Sequence, residues 1–223
     1  MWSGLRLPET LPPAKRLGLN FRTVFGAYAT VLRTRVACGY VLASGVLFGE
    51  LFASIFSIEQ VMREVFGEGD RLGLWFALVS IGLAASNLVN AKLVNRIGMR
   101  RISHVATIVF TALSLIALLV MWMIGPVFAV FMPMMMLMFM MVGLIGPNFN
   151  AIAMEPLGEI AGTASAALGF ATTTIAGVFG YMVSSQFNGT VLPMLFGFAG
   201  LGVLSVLVLW VTEKGRLFQP GTS

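Results

Sequence analysis

Charged side chains are scarce in this 223-residue chain, in which Asp, Glu, Lys and Arg together make up only 10% of the residues. Soluble domains carry about 25%, and so little charge cannot cover the surface of a water-soluble protein. Hydrophobic residues make up 58% of the sequence, which also excludes an intrinsically disordered chain, because disorder requires low hydrophobicity and high charge. The composition therefore predicts an integral membrane protein.

Histidine and cysteine are nearly absent, and their scarcity excludes several kinds of enzyme. Cys38 is the single cysteine, so an internal disulfide is impossible, and His104 is the single histidine. A zinc site with two histidines cannot form in one chain. The sequence has neither a phosphate-binding glycine loop nor a nucleophile motif near His104. We therefore expect no metal, no cofactor and no enzymatic activity, and we interpret His104 as a residue at the membrane interface.

Six apolar stretches are long enough to cross a bilayer, which takes about 20 mostly apolar residues. Two uncharged runs, 102–154 and 160–212, can each hold two crossings, with turn signals at Gly125-Pro126 and Asn188-Gly189. The alternating pattern of barrel strands is absent. The sequence thus predicts an all-α integral membrane protein whose six-span bundle covers 36–212, with spans at about 36–58, 72–92, 103–124, 127–147, 163–185 and 191–211.

The segments that flank the spans are polar or amphipathic. Residues 1–19 lack the apolar core of a signal peptide and are interpreted as a leader. Residues 20–35 place apolar side chains at helical spacing between arginines, which predicts an interfacial helix along the headgroups, with a linker of chance periodicity as the alternative. Residues 213–223 are interpreted as a short tail.

Lysine and arginine lie mostly on one side of the predicted topology. Twelve of the 14 fall in residues 1–35, in the loop after the second span or in the tail, whereas only Arg63 and Arg71 fall on the opposite side. Because basic loops face the cytoplasm, the pattern predicts both termini on the cytoplasmic side of the inner (plasma) membrane. The net charge of +5 follows from this topology. Without a basic groove interleaved with aromatic residues, we expect no nucleic-acid partner.

Glu50 is the only acidic residue inside a predicted span. It lies about 22 Å along the helix from Arg35 at the helical rise per residue, and an unpaired carboxylate at that depth must hold a proton or face water. Ser54 and Ser57 follow on the same helical face, and Asn87 is a further polar candidate in the second span. We interpret Glu50 as a proton carrier or a contact for a cationic substrate. The alternative is a protonated acid bonded to a neighbouring helix.

Two further patterns concern packing. In the fifth span, small residues recur every four positions, a spacing that lets another helix approach closely and predicts a packing face of Ser165, Gly169, Thr173 and Gly177. The fourth span is rich in methionine, and its methionines point all round the helix. For them, contact with lipid is favoured, and contact with varied ligands is the alternative.

Three segments resemble one known family. They are 7–11, which reads Leu-Pro-Glu-Thr-Leu, then 90–101, and finally 146–165, which contains Gly-Pro-Asn-Phe-Asn and Met-Glu-Pro-Leu-Gly. Together they make nearly the whole chain similar to the C-terminal half of the major facilitator superfamily, in its Bcr/CflA-type branch of multidrug efflux proteins. The resemblance implies one of two six-helix bundles that bind substrate between them. It also implies proton-driven export of drug-like small molecules.

The resemblance assigns roles to two loops. The 90–101 segment is similar to the family's gating loop between the second and third helices, and its candidate residues are Asn95, Arg96, Gly98, Arg100 and Arg101. The 146–165 segment implies a cytoplasmic loop motif that comprises Asn148, Asn150, Glu155, Pro156, Gly158 and Glu159. Asn95 stands where the family has Asp, and Glu159 stands where His is common in this branch. We expect Glu155 and Glu159 to bond to backbone amides or to arginine.

A transporter of this family has twelve spans, whereas six are predicted here. Three explanations stay open: a fragment of a longer gene product, a subunit that pairs with a separate N-terminal six-helix half, or one protomer of a homodimer. The predicted function is a membrane transporter, with proton-coupled efflux implied by the resemblance. The alternative is a non-transporting membrane subunit or remnant that needs an N-terminal half. The expected partners are the lipid bilayer, drug-like small molecules and a second six-helix bundle.

Overall fold

The structure, a computed structural model, describes residues 21–219, and its regular elements are helical. The predicted leader at 1–19 and residues 220–223 of the tail lie outside the described residues, as do the side chains of 21–25, Ala27 and Glu159. The α-helices in chain order are α1 (Phe21–Arg33), α2 (Arg35–Gln60), α3 (Leu72–Ile97), α4 (Met99–Ile124), α5 (Phe128–Met154), α6 (Ala161–Ser184) and α7 (Leu192–Thr212). A π-helical turn, Val61–Val65, extends α2, and the 3-10 turns Gly69–Arg71 and Glu155–Ile160 precede α3 and α6.

Six of the described helices, α2 to α7, are long and apolar enough to cross a membrane. This confirms the predicted all-α, six-helix class, and the chain is a multi-pass membrane protein. Some helices run past the predicted spans: α3 continues to Ile97 and α5 to Met154. A helix satisfies its own backbone hydrogen bonds, so it continues beyond the hydrocarbon until a residue such as glycine ends it.

Two glycines make the tight connections on either side of α4. Gly98 has φ 88° and joins α3 directly to α4, and Gly125 has φ 81° and ends α4 before the turn into α5. Residues with a side chain rarely adopt these left-handed values. The connection at Gly98 places the end of α3 beside the start of α4. In the following sections this end of the bundle, where α2, α4 and α6 begin and α7 ends, is called the tail end.

Helix α2 is the most extensively packed element, with contacts to α5, α6 and α7. Its approach to α6 depends on glycine: a Cβ on Gly49 would lie 2.7 Å from Cβ of Phe179, and a Cβ on Gly180 would lie 2.5 Å from Cβ of Phe52. Small residues at helix contacts let two backbones come close, which is how helices associate in lipid. The same packing removes the inner face of α2 from both water and lipid.

The predicted packing stripe of α6 is not packed against the other described helices. Ser165, Gly169 and Thr173 are exposed, and a Cβ on Gly169 or Gly177 would meet no atom within 4 Å. The buried residues of α6 lie on another face and are Ala164, Ala167, Leu168, Ala176 and Gly180. Within residues 21–219 the stripe therefore lies on the outer surface of the bundle.

Several methionines of α5 are buried. Met132, Met135 and Met138 lie in the core, because α5 is surrounded by α2, α3 and α4. The expectation that the methionines of this span face lipid is wrong for these three. Unbranched thioether side chains fill irregular gaps between helices, and here they do so beside two prolines, Pro133 and Pro147, within the same helix.

Candidate functional site

A small apolar cavity, here called the α3-side cavity, lies between α2, α3 and α5. Its volume is about 90 Å³, and its lining is mostly apolar and includes the sulfur-containing and aromatic side chains of Met62, Trp75, Phe76, Met132, Met135 and Phe139. Ser54 and Ser80 also line it, and each hydroxyl donates to a carbonyl of its own helix, at 3.0 Å for Ser54 Oγ and 2.8 Å for Ser80 Oγ. Because both hydroxyl hydrogens are used, the two oxygens offer only lone pairs to a ligand. The lining suits an apolar or aromatic group.

A second cavity, here called the α6-side cavity, lies between α2, α5 and α6 and nearer the tail end. Its volume is about 230 Å³. Its lining combines Phe48 and Phe52 with polar side chains, namely Ser44, Asn150, Thr172 and Thr173. Aromatic surface with a few polar groups is the usual composition of a small-molecule site.

The two cavities occupy successive halves of the seam between α2 and α5. The α3-side cavity uses α2 from Leu51 onward, whereas the α6-side cavity uses α2 from Val41 to Phe52. Phe48 crosses the seam between them: a Cβ on Gly146 would lie 3.1 Å from Cζ of Phe48. The glycine therefore makes room for the ring, and the seam offers an apolar region and a polar region in series along the bundle.

Glu50 lies inside the bundle. Its side chain is only 2% exposed, and among residues 21–219 neither carboxylate oxygen has a hydrogen-bond partner. Ser57 Oγ, two turns further along α2, is buried and unpartnered in the same range. Glu50 is not among the residues that line the two cavities, whereas Ser54 lines the α3-side cavity. The predicted polar face is thus divided: Glu50 and Ser57 point into the packed core, and Ser54 points to the cavity.

Asn87, the fourth residue predicted as a proton or substrate contact, is exposed, whereas Glu50 is buried. It is exposed on α3, and its amide donates to the carbonyl of Leu83 in its own helix at 2.9 Å. Its neighbour Asn90 is buried instead and accepts a 2.7 Å hydrogen bond from Asn148 of α5. Asn90 is the polar residue of α3 that links to another helix.

Arg100 joins three segments at the tail end. Its Nη2 donates to Glu155 Oε2 at 3.2 Å and its Nε donates to Glu213 Oε1 at 3.3 Å, with the arginine side chain only 14% exposed. The start of α4, the end of α5 and the end of α7 are thereby tied by one guanidinium. Its planar fork of donors suits two carboxylates at once.

The other residues of the two predicted loop motifs lie around this arginine. Asn95, Arg96 and Arg101 are exposed, and Gly98 makes the turn between α3 and α4. In the second motif, Asn148 donates a hydrogen bond to Asn90 of α3, and Asn150 lines the α6-side cavity. Glu155 accepts a hydrogen bond from Arg100. Pro156 and Gly158 are exposed in the 3-10 turn, and the side chain of Glu159 lies outside the described residues.

A buried polar chain extends from Arg100 into the bundle. Tyr40 Oη lies 2.8 Å from His104 Nε2 and donates to Glu213 Oε1 at 2.7 Å. The backbone amide of Phe218 donates to His104 Nδ1 at 3.1 Å. His104 is 1% exposed, so its side chain is buried inside the bundle, and its depth at the membrane interface stays a prediction. These hydrogen bonds connect α2, α4 and the segment after α7.

This polar chain was not predicted, although one signal pointed to it. Tyr40, His104 and Glu213 each lie within a few residues of the same predicted membrane face. Three polar side chains at one depth can meet when their helices are neighbours. Hydropathy alone leaves that neighbourhood undetermined, because it carries no information on which helices are adjacent.

Two curated proteins are similar to the chain. A bicyclomycin resistance protein homolog from Haemophilus influenzae is 26% identical over 216 residues, which are 96% of this chain and 54% of that protein. An uncharacterized MFS-type transporter, YdgK, from Bacillus subtilis is 25% identical over 219 residues, which are 95% of this chain and 53% of that protein. The chain therefore spans about half the length of the curated relatives it matches.

No family model matches the chain, and no solved structure matches it. The similarity to the two relatives extends over nearly all of the chain and supports a transporter of the major facilitator superfamily. The six apolar helices agree with that class.

Proposed function

We propose that the chain is part of a transporter that exports drug-like small molecules across the inner (plasma) membrane, driven by proton entry. The observation that carries the proposal is similarity along 96% of the chain to a protein named for bicyclomycin resistance. A membrane protein confers resistance most directly by removing the compound. The two cavities along the α2–α5 seam support the proposal, since one suits an apolar ring and the other suits polar groups of the same ligand.

Glu50 is the residue to which we assign the proton. An ionised carboxylate without a partner in a packed interior is disfavoured by several kcal/mol, so the described conformation suits the neutral acid. A conformation in which Glu50 meets water would let the proton leave. A site whose occupancy differs between two conformations couples the proton to the conformational cycle. Ser54, one turn further along α2 than Glu50, lines the α3-side cavity, so this cavity lies beside the next turn of the helix that carries Glu50.

We assign the tail end of the bundle to the cytoplasm, which places both termini there. The exposed basic residues at the described part of this end include Lys92, Arg96 and Arg101 of the α3–α4 connection. At the opposite end the basic residues are Arg63 and Arg71, and both lie beside acidic partners, Glu59 and Glu68. The asymmetry follows the positive-inside rule.

The proposal includes a second six-helix bundle that faces α6. The curated relatives are about twice as long as this chain, and the stripe of Ser165, Gly169, Thr173 and Gly177 lies on the outer surface. Small residues on an exposed membrane helix suit close approach by another helix. The second bundle is an N-terminal half, within the same gene product or separately encoded, or a second copy of the chain.

A second candidate function is a membrane subunit that has kept the fold without transport. Fold alone does not establish activity. The two candidates differ in one respect that can be measured, because the subunit would not move a substrate in response to the proton gradient.

The test is efflux of a fluorescent cationic dye from cells of the organism that carries the gene, with and without an uncoupler. Three strains are compared: the parent, a strain that lacks the gene, and that strain complemented with the chain. The proposal expects uncoupler-sensitive efflux that falls on deletion and returns on complementation. Equal efflux from the parent and the deletion strain, for this dye and for a panel of neutral antibiotics, would overturn the transport proposal and leave the subunit.

A further inference from the structure

The segment after α7 folds back onto the bundle. Helix α7 ends at Thr212, and the amide of Gly215, with φ 75°, bonds to the carbonyl of Trp210 at 2.8 Å. The turn redirects the chain so that the ring of Phe218 meets the imidazole of His104 edge-on, with the ring centroids 5.9 Å apart. Phe218 has φ 70°, an uncommon value for a residue with a side chain. Contacts with the bundle must therefore hold this conformation.

The hydrogen bonds identify the tautomer of His104. The amide of Phe218 can only donate, so His104 Nδ1 must be the acceptor of their 3.1 Å bond. In a neutral imidazole the hydrogen then lies on Nε2, which donates to Tyr40 Oη at 2.8 Å. Tyr40 in turn uses its own hydrogen for Glu213 Oε1 at 2.7 Å. Donors and acceptors alternate from the amide of Phe218 through His104 and Tyr40 to Glu213, and this order requires neutral His104.

Protonation of His104 is incompatible with one of these hydrogen bonds, the one that Nδ1 accepts from the amide of Phe218. A proton on Nδ1 would bring two N–H groups face to face, whereas the bond from Nε2 to Tyr40 would persist. The titratable and charged groups that face His104 are Tyr40 of α2, Arg100 of α4 and Glu213 after α7, and Glu155 acts through Arg100. Protonation therefore breaks the hydrogen bond between Phe218 and His104, which holds the segment after α7 against the bundle.

We propose that His104 is a proton-sensitive latch for the C-terminal segment: its neutral form holds Phe218 against the bundle, and its protonation releases residues 217–219. Release would widen a cavity of about 340 Å³ at the tail end, because Phe218 and Gln219 form part of its wall beside Arg100 and Arg101. The latch does not depend on what the protein transports.

The test places a nitroxide spin label on the tail of the whole chain in lipid nanodiscs. A cysteine replaces Gln219, which is exposed, in a background where Cys38→Ala removes the native thiol. The rotational mobility of the label is followed from about pH 8 to about pH 3. The latch predicts an immobile label at high pH and a several-fold faster label at low pH, along a one-proton titration.

Two substitutions at His104 separate the latch from general loosening at low pH. His104→Gln keeps an acceptor for Phe218 and a donor for Tyr40 but cannot titrate, so its label should stay immobile over the whole range. His104→Ala removes the acceptor, so its label should be mobile at every pH. A second label in place of Asn188, between α6 and α7, reports whether the bundle itself is intact. The proposal is overturned by a wild-type label whose mobility does not change with pH, by a His104→Gln label that still responds, or by an immobile His104→Ala label on an intact bundle.

Discussion

Asn148 of α5 donates a 2.7 Å hydrogen bond to Asn90 of α3, and both side chains are buried. The bond is a polar link between α3 and the rest of the bundle, and α3 is otherwise the least buried of the membrane-capable helices. Interhelical hydrogen bonds between buried amides hold membrane helices in register. The pair therefore fixes the position of α3, which carries one wall of the α3-side cavity.

Replacing Asn90 by Ala should loosen α3. The change leaves the amide of Asn148 without its interhelical acceptor, and we expect the free energy of unfolding to fall by about 1 kcal/mol. The measurement is reversible unfolding in mixed detergent micelles. Asn87→Ala is the matched control, because Asn87 is exposed and bonds within its own helix, and its effect should stay within about 0.5 kcal/mol. Equal effects of the two substitutions would contradict the assigned role.

Replacing Gly180 by Ala should force α2 and α6 apart. The new Cβ would lie 2.5 Å from Cβ of Phe52 and 3.0 Å from the backbone nitrogen of Ala53, so one helix must shift. Overpacking of this kind costs about 2 kcal/mol, measured as lower thermal stability of the purified protein. Gly177→Ala, one turn away with no atom within 4 Å, should be neutral or slightly stabilising. A neutral Gly180→Ala would show that the helices are not in close contact there.

Replacing Arg100 by Gln should disconnect α4, α5 and α7 at the tail end. Glu155 and Glu213 would each lose a charged donor, and the loss of such hydrogen bonds costs about 2 kcal/mol in total after allowance for their partial exposure. Chemical unfolding measures the loss. Arg101→Gln is the control, since Arg101 is exposed and its removal should change stability by no more than about 0.5 kcal/mol. A larger effect at Arg101 than at Arg100 would argue against the arginine hub.

The proposed orientation predicts which loops react with an impermeant reagent. In a Cys38→Ala background, a single cysteine in place of Asp70, between α2 and α3, should react with a membrane-impermeant maleimide on intact cells. A cysteine in place of Asn95 should react only after the membrane is opened, because it lies at the tail end. The reverse pattern would place the tail end outside and contradict the positive-inside assignment.

The helices were predictable because membrane helices obey one simple constraint. In hydrocarbon the backbone must satisfy its own hydrogen bonds, so long uncharged runs such as 102–154 must be helical whatever their partners. The same property explains what hydropathy could not supply. When most side chains of a helix are apolar, the pattern does not show which face turns inward, and so the stripe of Gly169 and Gly177 was assigned to packing although it faces outward.

The candidate site was predictable only in part, for a related reason. Glu50 could be found because a carboxylate in a membrane span is unusual, and its burial in the core follows from the rotation of α2. Met135 was expected to face lipid because the methionines of its span point all round the helix, whereas the neighbours of α5 bury it. Neighbour relations between helices depend on close contacts such as Gly49 with Phe179, and these cannot be read from a single span.

Proton-coupled transport through Glu50 requires proton movement that depends on both the substrate and this residue. Inside-out membrane vesicles from the organism that carries the gene are given a pH gradient, and the collapse of that gradient on adding a drug-like substrate is followed with a pH-sensitive dye. Vesicles with Glu50→Gln are compared with vesicles that carry Glu64→Gln, an exposed glutamate at the end of α2 opposite the tail end, and with vesicles that lack the chain. If Glu50 carries the proton, substrate-dependent proton movement should appear in the wild type and Glu64→Gln, and none above background in Glu50→Gln. Equal proton movement in Glu50→Gln and wild type would contradict that role of Glu50.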